Sequence, residues 1–211
     1  MRMRKKKWAE PYLEEHSDLV IQTPSDFKGN WKGEYETFHL EIGTGKGDYL
    51  CGMAQLYPEV CWVGIERDRS AAAVCAKKVV EAQLQNVKVI ALDARDLSEW
   101  FEENEIDVIH LNFSDPWPQN GYRKRRLSHE GFVKQYSELL KPQGKVLMKT
   151  DNSGLFEFSL KEFTHHGFSL DEVSVDFRRN EHPEDIITEY EAKFMSLNQP
   201  IYRAEFKNEK I

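Results

Sequence analysis

A chain of 211 residues with 40% apolar and 31% charged side chains is long enough for a sizeable core and too apolar for a disordered segment. No apolar run approaches 18 residues, and the basic start MRMRKKKWAEPYLEEH has no apolar stretch behind it, so neither a membrane span nor a signal peptide is expected. The formal charge of −7 hides an uneven distribution. Nine of the 29 basic residues lie in two acid-free clusters, Arg2, Arg4, Lys5, Lys6 and Lys7 at the start and Arg123, Lys124, Arg125 and Arg126 in mid-chain, which leaves 20 against 36 acids elsewhere. A polyanion would be drawn to those two places and repelled from the rest. A solvated tail and a solvated loop would carry the same charges. Cys51, Cys61 and Cys75 are odd in number and lack C-x-x-C spacing, which reads as reduced thiols of a cytoplasmic protein.

No repeat, low-complexity block or linker interrupts the chain, so one domain over residues 1–211 is expected, with a basic N-terminal arm over about residues 1–30. The arm reads as a helix followed by a connection containing proline and glycine. Strand patterns follow at Thr37–Ile42, Cys61–Glu66, Val87–Leu92, Ile106–Phe113, Lys145–Lys149, Phe168–Phe177 and Ile201–Phe206. Helical stretches lie between them, at 47–57, 70–84, 129–140 and 153–165; in the third, Phe132, Val133, Tyr136, Leu139 and Leu140 recur at helical spacing. The alternation predicts an α/β fold with a mainly parallel seven-stranded sheet and helices on both faces. In such sheets ligands bind outside the carboxyl ends of the strands, so those ends are where chemistry is sought.

The first strand ends in HLEIGTGKGDYL, with Glu41, Gly43, Gly45 and Gly47 at alternate positions. Asp48 stands where a dinucleotide fingerprint needs its third glycine, and Lys46 lacks the glycine spacing of a P-loop. The remaining pattern, E-x-G-x-G-x-G, resembles the first motif of Rossmann-like methyltransferases that use S-adenosylmethionine, whose cationic methionyl group suits an acid better than a pyrophosphate would. The second strand ends at Glu66, 19 residues past Gly47, placed to accept hydrogen bonds from ribose hydroxyls. Asp93 ends the third strand and would meet the adenine; Asp96 is the competing acid, more suited to local capping. Each of these acids could instead cap the following helix.

The fourth strand runs into LNFSDPWP, followed by a loop ending KRRL, then KTDNSGLFEFSL and TEYEAKF. Together these motifs resemble the bacterial tRNA (guanine-N7-)-methyltransferase family over nearly the whole chain. The resemblance implies methyl transfer from S-adenosylmethionine to N7 of the variable-loop guanine at tRNA position 46. It implies Asp115 as the acid at the reacting centre, also in contact with the cofactor, and Asp151, Thr188, Glu189, Tyr190 and Glu191 as substrate contacts. Arg123, Lys124, Arg125 and Arg126 would hold the tRNA phosphates. Trp117 could stack on an extruded base or belong to the core. Asp151 also sits where a helix N-cap belongs, and Thr188-x-x-Glu191 is a capping-box pattern with Ile187 and Ala192 as its staple.

One loop departs from the family. The usual sequence resembles PWPKKRHEKRRL, whereas this chain reads PWPQNGYRKRRL, with Gln119 in place of a lysine assigned to the substrate and Gly121–Tyr122 in place of an Arg-His pair. Two alternatives therefore stand beside the family reading: methylation of an exocyclic amine, since DPWP is loosely similar to the D/N-P-P-aromatic motif, or a tRNA-binding protein without catalysis. No metal site is expected, because no His, Cys or Asp cluster has ligand spacing. His39 and His110 read as packed or hydrogen-bonded residues. His165 and His166 read as C-terminal residues of a helix. A monomer or homodimer without an obligatory protein partner completes the expectation.

Overall fold

The computed structural model describes residues 4–210, so Arg2 of the first basic cluster lies outside the described residues. The chain runs α1 (Ala9–Glu15), β1 (Thr37–Ile42), α2 (Asp48–Leu56), β2 (Val60–Ile65), α3 (Arg69–Glu81), β3 (Val87–Ile90), β4 (Ile106–Asn112), α4 (Glu130–Leu139), β5 (Leu140–Thr150), α5 (Ser153–His165), β6 (Phe168–Ser174), α6 (Glu189–Ser196) and β7 (Tyr202–Asn208). The seven strands form one sheet in the order β3-β2-β1-β4-β5-β7-β6. Strands β1 to β5 pair in parallel, and β7 runs antiparallel to both β5 and β6. All six residues of β2 are buried, as a strand covered on both faces requires.

Side-chain alternation divides the core into two layers. Val60 and Trp62 of β2 and Val87, Val89 and Ala91 pack under Leu13 of α1, Leu50 and Met53 of α2 and Ala72, Ala76 and Val79 of α3. Phe38, Leu40, Val63, Ile109, Val146 and Met148 face the other way, onto Val133 and Tyr136 of α4 and Phe156 and Phe163 of α5. Part of the expected arm belongs to the first layer. Ala9, Leu13 and Val20 are buried there, Val20 forming a bridge with Val89 of β3, while Ile21 packs in the second layer.

Several element boundaries differ from the sequence reading for local reasons. Strand β5 begins at Leu140 because Lys141 Nζ bonds Asp107 of β4 at 2.7 and 2.8 Å, holding the strand ahead of Lys145 in place. Strand β6 stops at Ser174; Phe177 is buried in a short 3-10 turn and stacks on His182 with ring centres 3.8 Å apart. Helix α6 has no counterpart among the four helical stretches inferred from apolar spacing, because its buried residue is a glutamate, Glu191, rather than an apolar side chain.

That glutamate closes a polar seam. On the face away from Phe38 and Val146, the neighbouring strands β1, β4 and β5 carry His39, Glu41, His110, Asn112 and Lys149. Lys149 Nζ meets Asp185 at 2.6 Å and Glu191 at 3.2 Å; Arg178 meets Asp185 at 2.5 Å and Glu191 at 2.6 Å. These four side chains are no more than 11% exposed, and their two positive and two negative charges balance. The Tyr49 hydroxyl donates to Asp185 at 2.9 Å, so at 3.3 Å it accepts from His110 Nδ1. His110 Nε2 then accepts from His39 Nδ1 at 3.1 Å, which makes the His110 imidazole neutral, while burial disfavours the charged form of His39. Gly52 of α2 lets Ile186 approach, since a Cβ there would lie 2.8 Å from the Ile186 side chain. The residues 177–191 are thereby fastened over the seam.

Lys149→Met should cost about 3–5 kcal/mol of unfolding free energy, because it leaves a buried acid without its counter-charge. Combining it with Asp185→Asn should cost at least about 1 kcal/mol less than the sum of the two single changes, measured by denaturant unfolding. Strict additivity would show that the charges do not act as a unit. Burial also holds the His39 imidazole down to about 4 and that of His110 well below its ordinary value. The unfolded imidazole titrates near 6.5, so the unfolded state takes up the extra proton as pH falls. Stability contributed by neutral His39 is complete above pH about 6.5 and is lost as pH falls towards about 4, by about 3 kcal/mol. His39→Gln should flatten that part of the stability–pH curve, and an unchanged slope would contradict this.

Candidate active site

Strand order reverses between β1 and β4, and a crevice at that point of an open sheet is where ligands bind. The turn after β1 runs from Gly43 to Gly47. Gly47, at φ 78°, caps α2 in the left-handed region, and a Cβ there would overlap Cys75 of α3. At Gly45, φ 57°, a Cβ would meet nothing within 4 Å, so the space over the turn is open; Gly43 has only Leu127 at 4.0 Å.

Glu41 lies beneath this turn, 2% exposed. Its carboxylate accepts from Thr44 Oγ1 at 2.7 Å and from Asn112 Nδ2 at 3.0 Å, joining the turn to the end of β4. Burial pushes the Glu41 carboxyl upward, and these two donors act against that shift. Glu66, half-buried just after β2, accepts from the backbone N–H of Gly45 at 2.9 Å and of Asp68 at 2.7 Å. Burial raises its carboxyl as well, opposed by the same two N–H groups. Asp93, beyond β3, is exposed and pairs with Arg95 at 3.3 Å. Asp96 precedes a 3-10 turn without a side-chain capping bond.

Asp115 is exposed on the loop after β4, 3.5 Å from the guanidinium of Arg67, the neighbour of Glu66. The ends of β1, β2 and β4 are thus connected through Gly45, Glu66, Arg67 and Asp115. Phe113 and Trp117 bracket Asp115 with φ of 50° and 40°. Bulky residues hold such left-handed conformations only where their surroundings impose them. Here the Phe113 N–H donates to the Lys149 carbonyl at 2.8 Å, and the Trp117 carbonyl accepts from Arg126 Nη2 at 3.1 Å. Trp117 is half-buried at the surface and outside both core layers.

Asp151 is half-buried, but it is not the N-cap suggested by its position. Asn152 caps α5, its Oδ1 accepting from the Leu155 N–H at 2.8 Å, which leaves the Asp151 carboxylate outside the cap. Thr188 caps α6 through Glu191 N–H at 3.1 Å, but the capping box does not close, because the Glu191 carboxylate turns inward to Lys149 and Arg178. Ile187 and Ala192 are exposed and form no buried staple. Thr188 and Glu191 are buried while Glu189 and Tyr190 are exposed. The Tyr190 ring packs on Phe113 at 5.0 Å. Burial raises its hydroxyl, with the nearby charges of Asp151 and Asp115 adding to the shift. The carboxylates of Asp115 and Asp151 are therefore near enough to act on the Tyr190 hydroxyl.

Arg123, Lys124 and Arg125 are exposed, Arg125 against the Trp117 ring at 5.0 Å, and Arg126 is half-buried with its guanidinium 4.5 Å from the Phe158 ring. Arg67, Asn112, Lys149, Arg178 and Asp185 were absent from the residues singled out in the sequence. Lys149 had a readable signal, a lysine closing the apolar strand VLMKT; Arg178 and Asp185 lie in irregular chain, where no periodicity marks them.

Known proteins match this architecture and these motifs. A family described as "Putative methyltransferase" matches residues 35–204. Among solved structures, an antibiotic related methyltransferase superposes with a TM-score of 0.65 at 20% identity, covering 87% of this chain and 94% of that one. The 16S rRNA methyltransferase KamB gives 0.64 at 14% identity over 84% and 90%. At these identities the likeness establishes the fold. Among curated relatives, the tRNA (guanine-N(7)-)-methyltransferase of Bacillus subtilis (strain 168) is 45% identical over 97% of this chain and 98% of its own length. That of Oceanobacillus iheyensis is 43% identical over the full length of both. With identity this high across whole chains, this protein belongs to the tRNA (guanine-N(7)-)-methyltransferase family.

Proposed function

We propose that this chain transfers a methyl group from S-adenosylmethionine to N7 of guanine in tRNA, at the variable-loop guanine of position 46. The observation that carries this reading is the juxtaposition, at the switch point of the sheet, of an open glycine turn, the Glu66 carboxylate and the strained Asp115 loop flanked by exposed cations. The residues suit the cofactor. Gly43 and Gly45 leave room for close backbone approach, and Glu66 spends one lone pair of each oxygen on the backbone and keeps others for ribose hydroxyls. Asp93 would meet the adenine, and Glu41, an acidic group under the turn, would favour the cationic methionyl end. Bound S-adenosylmethionine would supply a methyl group on a cationic sulfonium.

Guanine N7 carries a lone pair and no proton, so the chain need not provide a general base. Transfer of the methyl group from the sulfonium to N7 would leave a neutral thioether and move the positive charge onto the purine. Asp115 would stabilise that charge, a kind of fixed electrostatic contact that speeds reactions by about 100- to 1000-fold. In-line positioning lowers the barrier by roughly 7–11 kcal/mol. Asp151, Glu189 and Tyr190 would contact the substrate, while Thr188 and Glu191, committed to the cap and to the buried cations, would hold that segment in place. Arg123, Lys124, Arg125, Arg126 and the basic N-terminal residues would engage phosphates. We assign the reaction to one domain acting in the cytoplasm; no helix among the described residues is long and apolar enough to cross a membrane.

Incubating the purified chain with methyl-labelled donor and tRNA, then digesting to nucleosides, should yield labelled 7-methylguanosine. Asp115→Ala should lower kcat by about 100-fold or more while donor binding, followed by calorimetry, persists. Near-normal turnover would remove Asp115 from its role, and label in any other nucleoside would overturn the substrate.

A further inference from the structure

The loop that carries Asp115 also holds two aromatic rings joined by guanidinium groups. Arg125 lies 5.0 Å from the Trp117 ring centre and 4.7 Å from that of Tyr122; the two rings are 6.0 Å apart at 57°. Arg67 reaches the Trp117 ring at 6.0 Å while it faces Asp115. Tyr122 is 44% exposed, an open ring beside one of the two cationic clusters of an otherwise acidic molecule. Trp117, strained at φ 40° and pinned through its carbonyl by Arg126, is the inner ring of this tilted pair.

We propose that Tyr122, Arg125 and Trp117 form a stacking platform for an unpaired nucleobase of the tRNA next to the guanine that enters the site. Drawing a guanine out of its stack leaves its neighbours without a partner. An exposed ring accepts any base, since every base has a π face, and a guanidinium in the same stack adds a cation–π contact. Arg125 fixes the tilt of the Tyr122 ring and brings a charge to the phosphate of the same nucleotide. Affinity at this loop therefore comes partly from a ring rather than from charge alone, which suits a segment reading QNGY before its cations.

The proposal rests on tRNA being the substrate, and binding measured apart from methyl transfer keeps the two claims separable. The test is tRNA affinity of the full chain across a range of salt concentrations, for the wild type, Tyr122→Ala and Tyr122→Phe. Tyr122→Ala should weaken binding about 5- to 150-fold with an unchanged salt slope, and Tyr122→Phe should stay within about twofold of wild type. An abasic site at one of the nucleotides flanking the methylated guanine should weaken wild-type binding by a similar factor, and Tyr122→Ala should then add little on that tRNA. Unchanged affinity in Tyr122→Ala, or a salt slope reduced by about 0.7–0.9 as if one phosphate contact were lost, would overturn the platform. So would independent losses from Tyr122→Ala and from every flanking abasic site. Coupling without any methyl transfer would keep the platform and reject the enzymatic reading; transfer without coupling would do the reverse.

Discussion

The site depends on one buried carboxylate. Glu41 reaches from the end of β1 to Thr44 in its own turn and to Asn112 at the end of β4, across the point where the strand order reverses. A buried acid with only one of these donors would be left partly unsatisfied, at a cost of about 1–3 kcal/mol, so the two strand ends are held in one arrangement. The glycine turn and the Asp115 loop consequently open onto the same crevice. Glu66 and Arg67 repeat this linkage one strand further out, binding Gly45 on one side and meeting Asp115 on the other.

The second constraint is the polar seam behind that crevice. Where aliphatic side chains would normally pack, β1, β4 and β5 carry two histidines, a glutamate, an asparagine and a lysine, and residues 177–191 bring Arg178, Asp185 and Glu191 against them. Desolvating four charges is expensive, and such clusters are retained where they specify an arrangement rather than where they add most stability. Here the arrangement specified is the path that brings Tyr190 over Phe113 and next to Asp115 and Asp151. Positioning of the outer residues Glu189 and Tyr190 is thus transmitted from Glu191, which is inaccessible itself.

Legibility from the sequence followed the kind of interaction involved. Strands β1 and β2, and helices α2 to α5, announce themselves through apolar runs and spacing, and their ends fall within a few residues of the expected ones. Glu41 lies at the end of β1 and Glu66 directly after β2, as the apolar runs indicate, whereas β3 stops at Ile90, short of Asp93. What escaped were contacts between residues distant in sequence: Arg67 with Asp115, or Lys149 with Asp185 and Glu191. Helix α6 escaped because its inward face is charged, and the Asp151 cap was misplaced by one residue because Asn152 is an equally good acceptor. Thr188-x-x-Glu191 had the letters of a capping box, but tertiary charges claimed its glutamate.

The central claim is that the methyl group goes to a lone pair on N7, with no proton to remove and a positive charge to stabilise. The most direct test compares methyl transfer to two tRNA transcripts, one normal and one with 7-deazaguanosine at position 46. Replacing that nitrogen by carbon leaves the exocyclic amine and the base-pairing edge intact. Label entering only the normal transcript is the predicted result. Comparable label in both would place the methyl on another atom or another nucleotide and contradict the account.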